Sequence, residues 1–189
     1  MNHSKTQFLK DDAHPDLLLS QQLAYGPCGL KVTNIRKEKE SADYGALDFQ
    51  LNGNRCKFRV GKVTPKKIGF FFTIWKRSER GPIIPYEEAD PVDFFVFSVQ
   101  THEHFGQFFF PKQIFMEKGI VSCRGTEGKR AIRVYPPWVT TVSRQARSAQ
   151  AWQQKHFLEI YRNGSVDKWA YSGFFANNGL TPNVDKEGL

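Results

Sequence analysis

The chain has 189 residues, enough for one domain with a sizeable core. Its 40% apolar content and seventeen Phe exclude a disordered protein, and no run approaches the roughly 20 apolar residues that span a bilayer. The formal net charge of +8 excludes an acidic protein, and three scattered cysteines exclude a disulfide framework or a Cys-x-x-Cys zinc site.

From the N-terminus, Lys5, Lys10, Asp11 and Asp12 precede a short Leu17–Leu19 run, without a signal peptide's basic start and long apolar core. The expected location is therefore the cytoplasm. Pro15 to Tyr25 predicts a short helix: Pro15 suits the first turn, Asp16 the positive end of the dipole, and Leu18, Leu19 and Leu23 one face. Gly26-Pro27 ends it. A mixed-charge stretch, Arg36 to Glu40, leads into an apolar run from Tyr44 to Leu51, and Asn52-Gly53-Asn54 marks a hairpin turn.

Cys56, Phe58 and Val60 alternate with Lys57 and Arg59, the pattern of a half-buried strand with a basic outer face. Thr64 to Gly69 reads as a basic loop, followed by a strand from Phe70 to Trp75 and a break at Gly81-Pro82. Asp93 to Val99 is apolar throughout, as in a central strand covered on both faces, and Gly106 to Phe110 is another strand. Pro111 opens a short helix that Gly119 closes. Ala131 to Tyr135 alternates as a strand, and Ser143 caps a helix expected to run from Arg144 to about Tyr161. The tail from Asn163 is polar with scattered aromatics, expected either to dock or to fray. Strands in the middle and helices at both ends favour a mixed or antiparallel sheet over a doubly wound parallel one.

The charge is segregated. Arg55 to Arg80 holds nine Lys or Arg and one acid, and Gly128 to Leu158 holds six and none. Together they carry +14, leaving −6 on the rest of the chain. Charge serving solubility alone is interspersed. Concentrated charge is the footprint of a polyanion site, provided the fold brings the two segments together.

Three segments carry a resemblance to a known family. They are Phe58 to Lys67 with Trp75-Lys76-Arg77, Gly106 to Lys112 with Glu117 to Ile120, and Gly128-Lys129-Arg130 with Arg133 to Trp138. Together with Trp152-Gln153 they resemble the MepB proteins, small bacterial proteins often encoded beside a drug-efflux pump. That resemblance implies a restriction-endonuclease-like fold of the MutH type. The MutH type carries Glu-Leu-Lys-Thr-Ile-Pro at its catalytic strand, where this chain reads Val60-Gly61-Lys62-Val63-Thr64-Pro65. Lys62 falls in the lysine position, but Val60 stands where the resemblance calls for a metal-binding Glu, and valine cannot coordinate a hard cation. Lys57-Phe58-Arg59 does not restore the pattern, because a basic residue again fills the acidic slot. Glu40, Asp48 and Asp93 are the acids left to hold a metal, against a bland role as surface acids.

The remaining chemistry is thin. Cys56 and Cys123 adjoin basic residues, but no histidine lies near either in sequence to act as a base. His102-Glu103-His104 on an expected loop is a weak metal motif. No phosphate-loop, dinucleotide or serine-hydrolase motif is present. Trp75 and Trp138 adjoin basic segments and are candidates to stack on unpaired bases, against the ordinary role of aromatic residues as core.

The sequence therefore reads as a single α/β domain of α+β type, with a central mixed or antiparallel sheet flanked by helices. Its expected divisions are an N-terminal helix and tail (1–28), a MepB-like domain (29–162) and a C-terminal extension (163–189). The expected activity is binding of DNA or RNA by the phosphate backbone through Lys57, Arg59, Lys62, Lys66, Lys67, Lys76, Arg77, Lys129, Arg130 and Arg133. Lysines that keep a sheet edge from aggregating are the bland alternative for these residues. No cofactor, metal ligand, catalytic residue or membrane insertion is assigned. The rival readings are a divergent metal-dependent nuclease and a protein-interaction module, linked to efflux, that meets an acidic partner.

Overall fold

A computed structural model describes residues 13–164 and 168–181. Helix α1 (Pro15–Ser20) starts on Pro15, with His14 Nδ1 accepting the Asp16 N–H at its N-cap. The helical path continues in a wider turn to Tyr25 and tightens over Gly26–Cys28, so the expected break falls one turn later. Strand β1 (Val32–Lys37) then runs into the mixed-charge stretch. The sequence did not mark it as a strand, because it is an edge strand whose side chains are half-buried or exposed. Strands β2 (Leu47–Leu51) and β3 (Asn54–Val60) form the expected hairpin, with Asn52 and Gly53 both at positive φ.

Next come β4 (Lys62–Thr64), β5 (Lys67–Thr73), β6 (Trp75–Arg77) and β7 (Ile83–Pro85). The single strand expected over Phe70–Trp75 is thus two, since β5 and β6 join different sheets. The Phe-rich runs are β8 (Phe94–Gln100) and β9 (Phe105–Pro111), followed by α2 (Lys112–Glu117) and β10 (Ala131–Val134). Helix α3 (Arg144–Gln153) has its Ser143 cap as expected but stops eight residues short of Tyr161. After a tight turn the chain enters β11 (Phe157–Glu159), which pairs with β9. Helix propensity loses there to sheet packing: Phe157 lies against Phe108, ring centroids 4.7 Å apart. Helix α4 (Lys168–Asn177) docks the tail through Tyr171 and Phe175.

The main sheet has the order β1-β2-β3-β8-β9-β11, antiparallel except for the parallel β3–β8 pair, so it is mixed. Alternate residues of β8 and β9 face opposite ways, and both ways are buried. Phe94, Val96, Phe105 and Phe109 join Leu17, Tyr25, Tyr171 and Phe175 under the terminal helices. Phe95, Phe97, Phe108 and Phe110 join Phe70, Phe72, Phe115, Ile132 and Val134. That second layer is a smaller sheet of order β10-β5-β4, locked by Phe72 stacked on Phe97 at 4.3 Å. Gly61 lets the chain cross between the sheets, since a Cβ there would lie 2.7 Å from the Phe72 ring. Asp16, buried in α1, ties the helix to β8 by accepting the Ser98 hydroxyl at 2.7 Å. No helix among the described residues is long and apolar enough to cross a membrane.

Because Phe97 is fully buried between the layers, Phe97→Ala is expected to cost about 3–5 kcal/mol. The exposed Val63→Ser should stay within about 0.5 kcal/mol, both read by urea denaturation.

Candidate nucleic-acid interface

The small sheet decides where the basic residues go. β10 pairs antiparallel with β5, from Ala131↔Thr73 to Val134↔Phe70, which joins the two basic segments side by side. Lys66 and Lys67 sit where β4 turns into β5, Lys129 lies just before β10, and Arg133 is on it. These four line one groove of 660 Å³ together with Lys118, and no Asp or Glu is among its lining residues. Its other lining residues include Ile68, Tyr135, Val142, Ala146 and Trp152.

The α3 wall of the groove is fixed to β10 by one buried amide. Gln153 Oε1 accepts the Tyr135 N–H at 2.9 Å and its Nε2 donates to the Arg133 carbonyl at 3.0 Å. Gly69 takes φ +81, where a side chain would be strained, and a Cβ there would lie 2.6 Å from the Tyr135 ring. Lys118 was missed from the sequence, where it reads only as a helix-terminal cation. In the structure its Nζ lies 5.6 Å from the Trp152 ring centroid.

The other six expected contacts do not reach this groove, and each has a carboxylate partner. Lys76 lies 2.7 Å from Asp90 and 2.8 Å from Glu87, Arg77 bonds Glu40 with two donors, and Arg130 bonds Glu127. Lys62 lies 3.8 Å from Asp43, with its ammonium over the Tyr44 ring. Arg59 is a correction to the expected basic outer face: it is 2% exposed. Its Nη2 donates to Glu38 at 2.6 Å and its Nη1 to the Phe58 carbonyl. Lys57, also largely buried, bonds the other Glu38 oxygen at 3.0 Å. Its Nζ also pairs with Asp48 Oδ1 at 2.7 Å.

This ion network borders a second cavity of 280 Å³, lined by Asp48, Lys57, Lys76 and Tyr86 among others. Burial pushes Glu38 up, but Arg59 and Lys57 outweigh it and hold the carboxyl below its ordinary range. Burial raises Asp48, which Lys57 only partly offsets. For Lys57, burial works against the charge, yet Tyr86, Glu38 and Asp48 leave it raised. Glu38, Asp48, Lys57 and Arg59 together sum to zero charge, so the cluster carries no excess negative charge to draw a hard cation.

The acids considered as metal ligands are separated by their partners: Glu40 by Arg77, Asp48 by Lys57 and Asp93 by Arg55. Among the described residues no three His, Cys, Asp or Glu side chains are grouped to hold a metal. Val60 and Lys62 lie in different sheets, so the local MutH-type segment does not form one strand. Neither expected stacking residue is in the groove. Trp138 is sandwiched, stacked on His104 at 4.6 Å and edge-on to Phe157, while Trp75 lies beneath Arg77. His104 Nδ1 is engaged by Glu159 at 3.1 Å. Burial pushes the Cys28 and Cys56 thiols up, away from the reactive thiolate.

The molecule is thus a single-domain α+β protein with a mixed central sheet and a cationic groove on its second layer. A family model described as MepB-like matches residues 38–159, and the chain belongs to that family. Among solved structures it is similar to the crystal structure of MepB, at 31% identity and a TM-score of 0.66, covering 84% of this chain and 97% of that one. A bacterial homing endonuclease aligns at 17% identity and a TM-score of 0.41, covering 78% of this chain and 90% of that one. No curated protein matches the sequence.

The buried pair yields a stability prediction. Glu38→Gln leaves Arg59 charged and buried without its counterion, an expected cost of about 3–5 kcal/mol. The wild-type contribution of Glu38 is complete above the ordinary glutamate value of about 4.3 and is lost as pH falls below it. Urea denaturation from pH 7 to pH 3 should therefore show a shallower acid loss in the variant.

Proposed function

We propose that this chain binds nucleic acid by its phosphate backbone at the groove between β5, β10 and α3, without catalysing a reaction on it. One observation carries the reading. Of the ten cations expected to contact phosphate, the four without a carboxylate partner among the described residues all line the groove: Lys66, Lys67 and Lys129, whose ammoniums are free, and Arg133, whose guanidinium is held by backbone carbonyls. A cation already neutralised by a neighbouring acid releases few counterions on binding, whereas a free one releases its share. A cytoplasmic location belongs to the same proposal. So does indifference to sequence, since phosphate contacts position a nucleic acid without reading it.

The test is fluorescence anisotropy with labelled duplex DNA, single-stranded DNA and RNA across a salt series, with and without Mg²⁺. The four free ammoniums of Lys66, Lys67, Lys118 and Lys129 predict a log–log salt slope of about −3 to −4. Lys66→Glu with Lys67→Glu should weaken binding about equally on every sequence and bring the slope to about −2. Unchanged affinity in that double variant would remove the groove from the interface. Cleavage in Mg²⁺ that Asp48→Asn abolishes would replace this reading with a nuclease at the ion network. No binding at low salt would leave an acidic protein as the partner.

A further inference from the structure

Within the proposed groove one cation is placed differently from the rest. Arg133 Nη1 donates to three successive carbonyls, those of Lys67 (3.2 Å), Ile68 (3.3 Å) and Gly69 (3.0 Å). Its Nη2 donates to the Thr64 hydroxyl at 2.9 Å, and the guanidinium lies 5.7 Å from the Phe71 ring centroid. One side chain on β10 therefore holds both ends of the turn that carries Lys66 and Lys67.

The turn departs from regular strand pairing. The β4–β5 ladder shifts register between Val63 and Thr64, and Gly69 at φ +81 departs from strand geometry. Where a ladder lapses, backbone carbonyls are left to water or to a side chain, and the part-buried Gly69 carbonyl is the least open to water of the three. A planar, always-charged guanidinium with five N–H groups can serve several at once, and a lysine ammonium on a flexible stem cannot span the same set. Lys66 and Lys67, by contrast, have no side-chain partner among the described residues, so the turn alone sets where their charges point.

We infer that Arg133 is a positioning residue for the polyanion site: it contacts no phosphate and acts by pre-forming the Lys66–Lys67 turn. This rests on the groove reading above and adds how the groove is kept ready. A turn ordered before binding loses less freedom on binding, so its order appears as affinity.

The two roles separate in a double-mutant cycle read by anisotropy with a labelled single-stranded oligonucleotide and a labelled duplex. Arg133→Gln should weaken binding about tenfold, and Arg133→Lys about as much, although it keeps the charge. With Lys66→Gln and Lys67→Gln already present, neither change at Arg133 should alter affinity by more than about twofold. Rescue by Arg133→Lys, or effects that multiply in the lysine-free background with a further loss of salt slope, would overturn the inference while leaving the groove reading intact. If thermal melting shows that the Arg133 variants fail to fold, Thr64→Val removes the acceptor of Arg133 Nη2 together with the hydroxyl's own long 3.4 Å bond to the Lys67 carbonyl. It should cost about threefold in the wild type and nothing in the lysine-free background, and no loss in the wild type overturns the inference. Absence of binding by the unaltered chain at low salt overturns both readings.

Discussion

The burial of both faces of β8 and β9 is the constraint from which the rest of this molecule follows. A strand apolar on both sides needs a layer on each. On one side the terminal helices supply it through Tyr25, Tyr171 and Phe175. On the other the layer is a second sheet, held by Phe70, Phe72, Ile132 and Val134 over Phe95, Phe97 and Phe110. That sheet can form only if β5 and β10, some sixty residues apart in the chain, lie side by side. The flanks of the two strands are the most basic parts of the sequence, so packing hydrophobic faces also assembles a cationic surface.

Positive charge in this chain does two kinds of work, and burial sorts them. Arg59 is buried and Lys57 nearly so, both in a neutral cluster with Glu38 and Asp48 that pins β1, β2 and β3 together. Lys76, Arg77 and Arg130 tie loops to acids nearby. Removing one member of the buried cluster exposes the desolvation cost of the others, which is why its cations cannot also serve a passing ligand. The groove cations Lys66, Lys67 and Lys129 lie outside these networks and stay solvated. Lysine suits the proposed role, because a mobile ammonium can follow a phosphate backbone without demanding one geometry.

Much of the fold was legible from pattern alone. The hairpin at Asn52-Gly53, the doubly buried strand after Asp93, the Gly119 stop and the Ser143 cap each follow from local chemistry that tertiary structure had no reason to override. Strand β1 was hidden because an edge strand carries little apolar periodicity. Helix α3 was over-extended because Phe157 and Leu158 are compatible with a helix face until β9 offers them an edge to pair with. For the site, segregation of charge was readable, and so was a basic turn, although the loop expected over Thr64–Gly69 shrinks to Pro65 and Lys66 between β4 and β5. Partners were not. Alternation placed Lys57 and Arg59 on a face opposite Cys56 and Phe58, but nothing local shows that Glu38 and Asp48 meet them there. Arg133 posed the same problem, since its acceptors lie more than sixty residues upstream.

In the proposed binding mode the nucleic acid engages the groove and leaves the ion network untouched. Lysine footprinting tests it most directly, by limited acetylation of the protein with and without saturating single-stranded DNA, read by mass spectrometry. The expected result is protection of Lys66, Lys67, Lys118 and Lys129 with unchanged modification of Lys57 and Lys76. Protection of Lys57 and Lys76 with the groove lysines still reactive would contradict it and move the interface to the cavity beside Asp48.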